Sequence, residues 1–184
     1  MGETSKAKIR RLREDFFVKY CNGKGLDIGC GEDLLTLGCE GWDRKQGDAQ
    51  YLKGVKNSSF DFVYSSHLLE HFENPGLTLR RWYEVLKPKG YFILVVPHRD
   101  LYEKRKTLPS KWNPEHKHFF LLDKDELPDT IGILGLIEKW LYDYKIIYAK
   151  TCDIGHTEEN TKNPNIHSDG EYSIEIVIQK LKKE

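Results

Sequence analysis

Two sets of residues in this sequence have the types and spacing that chemistry needs. The first is Lys24 to Gly31, which reads Lys-Gly-Leu-Asp-Ile-Gly-Cys-Gly. Leu26 and Ile28 lead into Gly29 and Gly31, with Cys30 between them. Glycine admits positive φ and lets a ligand come close to the backbone. The run therefore reads as a buried strand entering a tight turn at the rim of a ligand crevice. A dinucleotide fingerprint asks for a third glycine three residues on, and that position is Leu34. Asp27 points the same way, because a carboxylate beside the turn repels a pyrophosphate and attracts an ammonium group. The second set is His67, His71, His98, His116 and His118. Imidazole exchanges a proton near neutral pH, and His98 and His116 are the candidates for a general base. His116 and His118 share a face if extended, which would start a metal site, but no carboxylate or cysteine completes it at recognisable spacing, and no metal is expected. His71 and His118 read as structural, His71 as a cap in a helix region.

The elements that must position these residues follow from periodicity. Ile9, Leu12, Phe16, Phe17 and Tyr20 recur on one helical face, which predicts an amphipathic helix within 8–20 packed on a sheet. Gly41-Trp42-Asp43 looks like the end of a second strand. A full crossover needs about a dozen residues or more, so the connection is expected to hold only a turn of helix near Asp33 to Leu37. Ser59 to Tyr64 is a central strand, Asn74-Pro75-Gly76 a turn, and Leu79, Trp82, Tyr83 and Leu86 one face of a helix through Lys87. Pro88 and Gly90 stop that helix, and Tyr91 to Val96 is a strand apolar on both faces. Residues 97 to 114 are charged and irregular. Asp123 with Glu126 suggests a capping box for a helix to about Leu134 that ends at Gly135. Leu136 to Thr151 reads as a strand, clearest at Tyr144 to Ala149. Cys152 to Gly170 is a long polar loop, either closing inward through His156 and His167 or solvated, with composition on the solvated side. In Glu171 to Leu181, Tyr172, Ile174, Ile176 and Ile178 alternate with polar residues, as in an antiparallel strand with one wet face.

Composition narrows the function classes. The 184 residues fit one domain over 1–184, with a cofactor-binding half at 23–96 and an acceptor-side half at 97–184. Lys+Arg and Asp+Glu both number 29, so there is no overall basic bias toward a nucleic-acid backbone or an anionic membrane. No apolar run approaches a membrane span, and the charged N-terminal stretch lacks the apolar segment of a signal peptide. The cysteines (Cys21, Cys30, Cys39, Cys152) form no CxxC pair and read as reduced thiols of a cytoplasmic protein.

The Leu-Asp-Ile-Gly-Cys-Gly run resembles the glycine-rich motif of class I S-adenosylmethionine (SAM)-dependent methyltransferases. Ser65-Ser66-His67-Leu68-Leu69-Glu70-His71 after a central strand, the Lys87-Pro88-Lys89-Gly90 turn, and His116-Lys117-His118-Phe119-Phe120 resemble the small type 11 group of that family. The resemblance covers nearly all of 23–181 and implies an α/β, Rossmann-like, mostly parallel sheet with helices on both faces and a C-terminal antiparallel hairpin. It is weakest over 32–48, where the edge carrying the second and third strands is trimmed. It implies that Asp43 takes the ribose hydroxyls of SAM, that Asp48 and Ala49 lie by the adenine, and that Ser65 and His67 lie near the methionine moiety. Gly29, Cys30 and Gly31 would form the floor, and Asp27 would meet the ammonium directly or through water. The implied reaction moves a methyl group from SAM to a small-molecule or sugar-containing acceptor and leaves S-adenosylhomocysteine. Rival readings are a catalytically inactive methyltransferase-like protein that binds a partner, a nicotinamide-dependent reductase, and a nucleic-acid methyltransferase. The missing third glycine weighs against the reductase. The lack of an Asn-Pro-Pro-Tyr-like tetrapeptide after the fourth strand weighs against the last.

Overall fold

The computed structural model of the chain describes residues 2–167 and 170–182. Its centre is a six-stranded sheet in the order β2-β1-β3-β4-β8-β7. The strands are β1 (Gly25–Ile28), β2 (Cys39–Trp42), β3 (Phe60–Ser66), β4 (Leu86–Pro97), β7 (Tyr144–Cys152) and β8 (Ser173–Lys180). β2, β1, β3 and β4 run parallel, while β8 lies antiparallel between β4 and β7. A separate parallel pair joins β5 (Phe119–Leu121) and β6 (Thr130–Gly132). This is the expected Rossmann-like architecture with its antiparallel C-terminal pair.

One face of the sheet packs Leu26, Ile28, Val63, Leu94 and Ile176 against Leu79, Trp82 and Tyr83 of α4 (Pro75–Glu84) and Ile133 and Ile137 of α5 (Ile133–Trp140). α4 starts inside the expected Asn-Pro-Gly turn. Asn74 caps it by accepting from the Leu77 amide at 3.1 Å, and Pro75 fills a first-turn position whose missing N–H costs nothing. The helix ends at Glu84, and β4 already begins at Leu86, so the Lys-Pro-Lys-Gly turn lies inside an irregular start of that strand.

The other face is covered by three short helices, α1 (Glu3–Lys6), α2 (Lys8–Arg13) and α3 (Phe16–Tyr20). The expected single helix over 8–20 is broken at Asp15, whose φ of 56° is left-handed. Its expected apolar face is buried only in the second half: Phe16, Phe17 and Tyr20 pack on the sheet, whereas Ile9 and Leu12 are 66% and 59% exposed and Arg11 is buried in their place. The reason lies in β8. Its outer face is not wet, because Glu175 is fully buried there and draws in both Arg10 and Arg11.

Two further expectations are corrected. No helix forms between Asp33 and Leu37, where the chain makes irregular turns. The helix expected over 123–134 is also absent: Glu126 pairs with Arg99 at 2.8 Å, Thr130–Gly132 is a strand, and α5 runs through Gly135 to Trp140 before β7 starts at Tyr144. A short apolar run such as Ile131 to Ile137 has no periodicity that separates helix from strand.

Candidate active site

The site is built where β1, β2 and β3 end. The Gly29 amide donates to the Trp42 carbonyl at 2.7 Å, which closes the turn onto β2. Gly29 has φ 79°, and a Cβ there would meet Leu68 at 2.7 Å. Gly31 has φ 51° and faces open space, so the backbone itself forms the surface. Asp43, directly after β2, is fixed from both sides. Its Oδ2 accepts from the Gly31 amide at 2.7 Å, and its Oδ1 accepts from the Arg44 amide at 2.6 Å. A carboxylate oxygen has further acceptor capacity after one such bond.

A cleft of about 530 Å³ opens here, lined by Gly29, Asp43, Asp48 and Ala49 on one side and by Leu68, His71, Phe72, Asn113 and Glu115 on the other. The volume is in the range of small-molecule pockets. A second hollow of about 510 Å³ adjoins it, lined by Cys30 and Gly31 and sharing the Asp43 wall. The cleft lies between two neighbours of β1, at the carboxyl end of a parallel sheet, where such folds hold ligands.

The near wall is fastened from α4. Residues 43–59 form no strand, so their backbone groups need partners from elsewhere. Trp82 Nε1 donates to the Ala49 carbonyl at 2.8 Å, and Arg81 donates to the carbonyls of Tyr51, Leu52 and Val55 at 2.8, 3.2 and 2.6 Å. The sequence marked Trp82 only as a helix-face residue and did not single out Arg81.

Several residues expected at the site lie beneath it instead. Asp27 is buried and does not line the cleft; its Oδ2 accepts from the Leu35 amide at 2.7 Å, fixing the chain beyond the turn. Burial pushes its carboxyl up to about 7, against the Leu35 hydrogen bond and Arg11, which favour the charged form. Ser65 is buried and donates to the Ile28 carbonyl at 3.0 Å, stitching β3 to β1. His67 has φ 51°, bonds Ser173 Oγ through Nε2 at 2.7 Å, and is pushed down to about 4 by burial. His98 accepts from the Asp100 amide at 3.2 Å and so caps the turn Arg99–Glu103. His118 faces the Glu73 carbonyl at 3.3 Å.

Behind the far wall lies a cluster that the sequence showed only in part. The turn Leu69–His71 buries Glu70, and the Glu70 carbonyl accepts from the amides of Lys117 and His118, at 2.7 and 3.3 Å, which brings His116 alongside. His116 Nδ1 is 2.6 Å from Glu103 Oε1, and Ser110 Oγ donates to Glu103 Oε2 at 2.5 Å. The His116 ring lies 4.9 Å from that of His71 and stacks on Tyr102 at 5.5 Å. Both Glu70 oxygens are buried without a hydrogen-bond partner. His71, expected to be structural, is the imidazole on the cleft wall; His116 reaches the cleft only through it. Glu70 and Glu103 were missed. Glu70 stood in plain view beside His71, but Glu103 sits in the irregular 97–114 stretch that gives no pattern.

The loop after β7 is mostly exposed, as its composition suggested, but it is tethered to the body of the protein. It carries α6 (Glu158–Lys162), and Lys104 Nζ donates to the carbonyls of Asn160, Asn163 and Ile166, the last at 2.6 Å. Lys111 holds the Pro164 carbonyl at 2.7 Å, and the His167 ring packs 5.1 Å from Tyr102 and 5.0 Å from Trp112. Ser168 and Asp169 lie outside the described residues.

Fold and cleft together define a Rossmann-like α/β protein with an open cleft at the carboxyl end of its parallel strands. A family model described as "Methyltransferase domain" matches residues 1–130, and the chain belongs to that family, the class I SAM-dependent methyltransferases. Comparison with curated proteins returns no match. Among solved structures, the chain is similar to a SAM-dependent methyltransferase from Archaeoglobus fulgidus, at 20% identity over 94% of each chain with a TM-score of 0.55. A Thermotoga maritima structure described as a SAM-dependent methyltransferase, possible histamine N-methyltransferase, is 18% identical over 99% of this chain and 100% of its own, with a TM-score of 0.55. A third, from work on converting a disulfide bond into a thioacetal group during echinomycin biosynthesis, is 16% identical over 97% of this chain and 82% of its own, with a TM-score of 0.61. These likenesses establish the fold. The cofactor of the family is SAM, and the open backbone at Gly31 and the anchored Asp43 carboxylate fit a ribose-bearing ligand.

Proposed function

We propose that this chain transfers the methyl group of SAM to a small-molecule or sugar-containing acceptor, with Asp43 as the ribose anchor. The observation that carries the reading is the Asp43 carboxylate, held by two backbone amides at the edge of a cleft with a polar far wall. SAM supplies a methyl group already activated on a sulfonium, so the protein's part is positioning and the exclusion of water. Asp43 accepts from the ribose hydroxyls. Asp48 and Ala49 flank the adenine. Gly29, Cys30 and Gly31 let the ligand lie against the backbone, while Asp27 and Ser65 hold the turn and strand beneath them. His71, Asn113 and Glu115 face the acceptor, and a hydroxyl acceptor gives up its proton on that side. The formal charge of zero and the polar wall suit a compact polar acceptor better than a nucleic acid.

Calorimetry with SAM tests the reading. The wild type is expected to bind, and Asp43→Ala to bind at least tenfold more weakly, since a charged hydrogen bond of this kind contributes about 1.5–3 kcal/mol. An acceptor screen with methyl-labelled SAM, followed by pH–rate profiles of wild type, His71→Ala, His98→Ala and His116→Ala, then separates a base, whose loss removes a limb of the profile, from a positioning role, whose loss lowers it evenly. A wild type that binds no SAM would instead favour a partner-binding methyltransferase-like protein.

A further inference from the structure

We propose that Glu70, His71 and His116 bind a divalent transition-metal ion of the zinc class, with the fourth position turned toward the cleft. One ligand atom from each residue lies within 4.8 Å of the others. His116 Nε2 and Glu70 Oε1 are 3.8 Å apart, too far for a hydrogen bond. Two ligands of a tetrahedral ion, each about 2.1 Å from it, lie about 3.4 Å apart, so small side-chain rotations complete the set.

Three features favour an ion over a polar accident. Glu70 is fully buried with neither oxygen satisfied, and a second buried carboxylate, Glu103, stands on the other side of His116. Buried carboxylates need compensation, and a dication supplies it. Glu103 also does what partners of metal-bound imidazoles do. As an ionised carboxylate it accepts from His116 Nδ1–H at 2.6 Å, the tautomer that leaves the Nε2 lone pair facing Glu70, and Ser110 donates to its other oxygen. The chemistry of the donors is selective too. Two imidazole nitrogens and one carboxylate oxygen with an open position suit Zn²⁺ or Fe²⁺ rather than Ca²⁺ or Mg²⁺, which prefer oxygen ligands. Glu70 and His116 are buried while His71 lines the cleft, so the open side of the triad is the acceptor side. That an acceptor oxygen takes the open position rests on the methyltransferase reading; the metal site itself does not.

Full-length protein stripped with a chelator and titrated with Co²⁺ is expected to bind one equivalent and show visible d–d absorption that Zn²⁺ abolishes. Azide is expected to shift that spectrum by entering the open position; an unchanged spectrum would overturn the open site. Glu70→Gln and His116→Ala are expected to lose the band, and His118→Ala, outside the triad, to keep it. Because the two variants alter buried groups, Zn²⁺-induced change in the thermal midpoint is read on the wild type as well, where a rise is expected. A wild type with no Co²⁺ band and no Zn²⁺ shift would overturn the site, as would undiminished binding by both variants. SAM calorimetry on the stripped wild type keeps the two readings apart: Co²⁺ binding without SAM binding defeats the cofactor assignment alone, and the reverse defeats the metal alone.

Discussion

Asp27 and Asp43 sit at the same end of the sheet and live in opposite surroundings. Asp43 receives two amide hydrogen bonds at the cleft, while Asp27 receives one and is buried. Burial raises the Asp27 carboxyl from 3.8 to about 7, so the folded chain holds its proton more tightly than the unfolded chain does. The stability this contributes is fully present below pH about 4 and is lost as pH rises through about 7. Asp27→Asn, which keeps the shape and removes the titration, is expected to flatten the fall in stability over that window relative to the wild type. Urea midpoints at several pH values measure it, and parallel profiles for the two proteins would exclude the effect. The sequence singled out both aspartates correctly as residues of the strand ends, but not which one is submerged, because that depends on where Leu35 returns its amide. That return follows from the irregular 32–38 turn, for which no local pattern exists.

At the scale of elements, α4 does two jobs. One face packs on the sheet, and Arg81 and Trp82 clasp residues 49–55, which have no strand to satisfy them. Arg81→Ala is expected to leave helix content intact, speed amide exchange over 49–57, and weaken SAM binding by on the order of tenfold. Hydrogen exchange and calorimetry check this, and unchanged exchange would show the segment to be held otherwise. α4, β3 and β4 were legible because each has a strong periodicity or a continuous apolar run with clear stops. The N-terminal helices were misread for a physical reason. A helix reveals its apolar stripe but not its partner surface, and over 8–13 the partner is a carboxylate, so the buried side there is the one with Arg11, while Phe16, Phe17 and Tyr20 pack as their stripe foretold. The cleft wall was legible in part, through Asp43, Asp48 and the glycine pair. The histidine–glutamate cluster was not, since it joins residues from 70 to 116 through turns without regular structure.

Across the whole molecule, residues far apart in sequence, Arg10 and Arg11 on one side and Glu175 on the other, meet at one charge cluster. Glu175 Oε2 receives Arg11 at 2.7 Å, and its Oε1 receives Arg10 at 2.9 Å and the Tyr148 hydroxyl at 2.8 Å. Burial alone would raise this carboxyl, but Arg11 and Arg10 outweigh it and hold it at about 2. The folded value lies below the ordinary 4.5, so its contribution is present above pH about 4.5 and lost as pH falls through about 2. Glu175→Gln strands Arg11 without a counter-charge and is expected to cost about 3–5 kcal/mol, read from denaturant unfolding at neutral pH. A loss below 1 kcal/mol would show that Tyr64, which also accepts from Arg11 at 3.1 Å, suffices.

This long-range pairing sets an order on how the protein is made. Arg11 leaves the ribosome 164 residues ahead of Glu175. The strand that carries it also slots between two strands that are already out. Until Glu175 is out, the helix that carries Arg10 and Arg11 has no place to put their guanidiniums, and the half-built sheet has one apolar side bare. A nascent chain of this protein therefore closes in a single late step, and stalling short of that glutamate leaves exposed the kind of surface that chaperones guard.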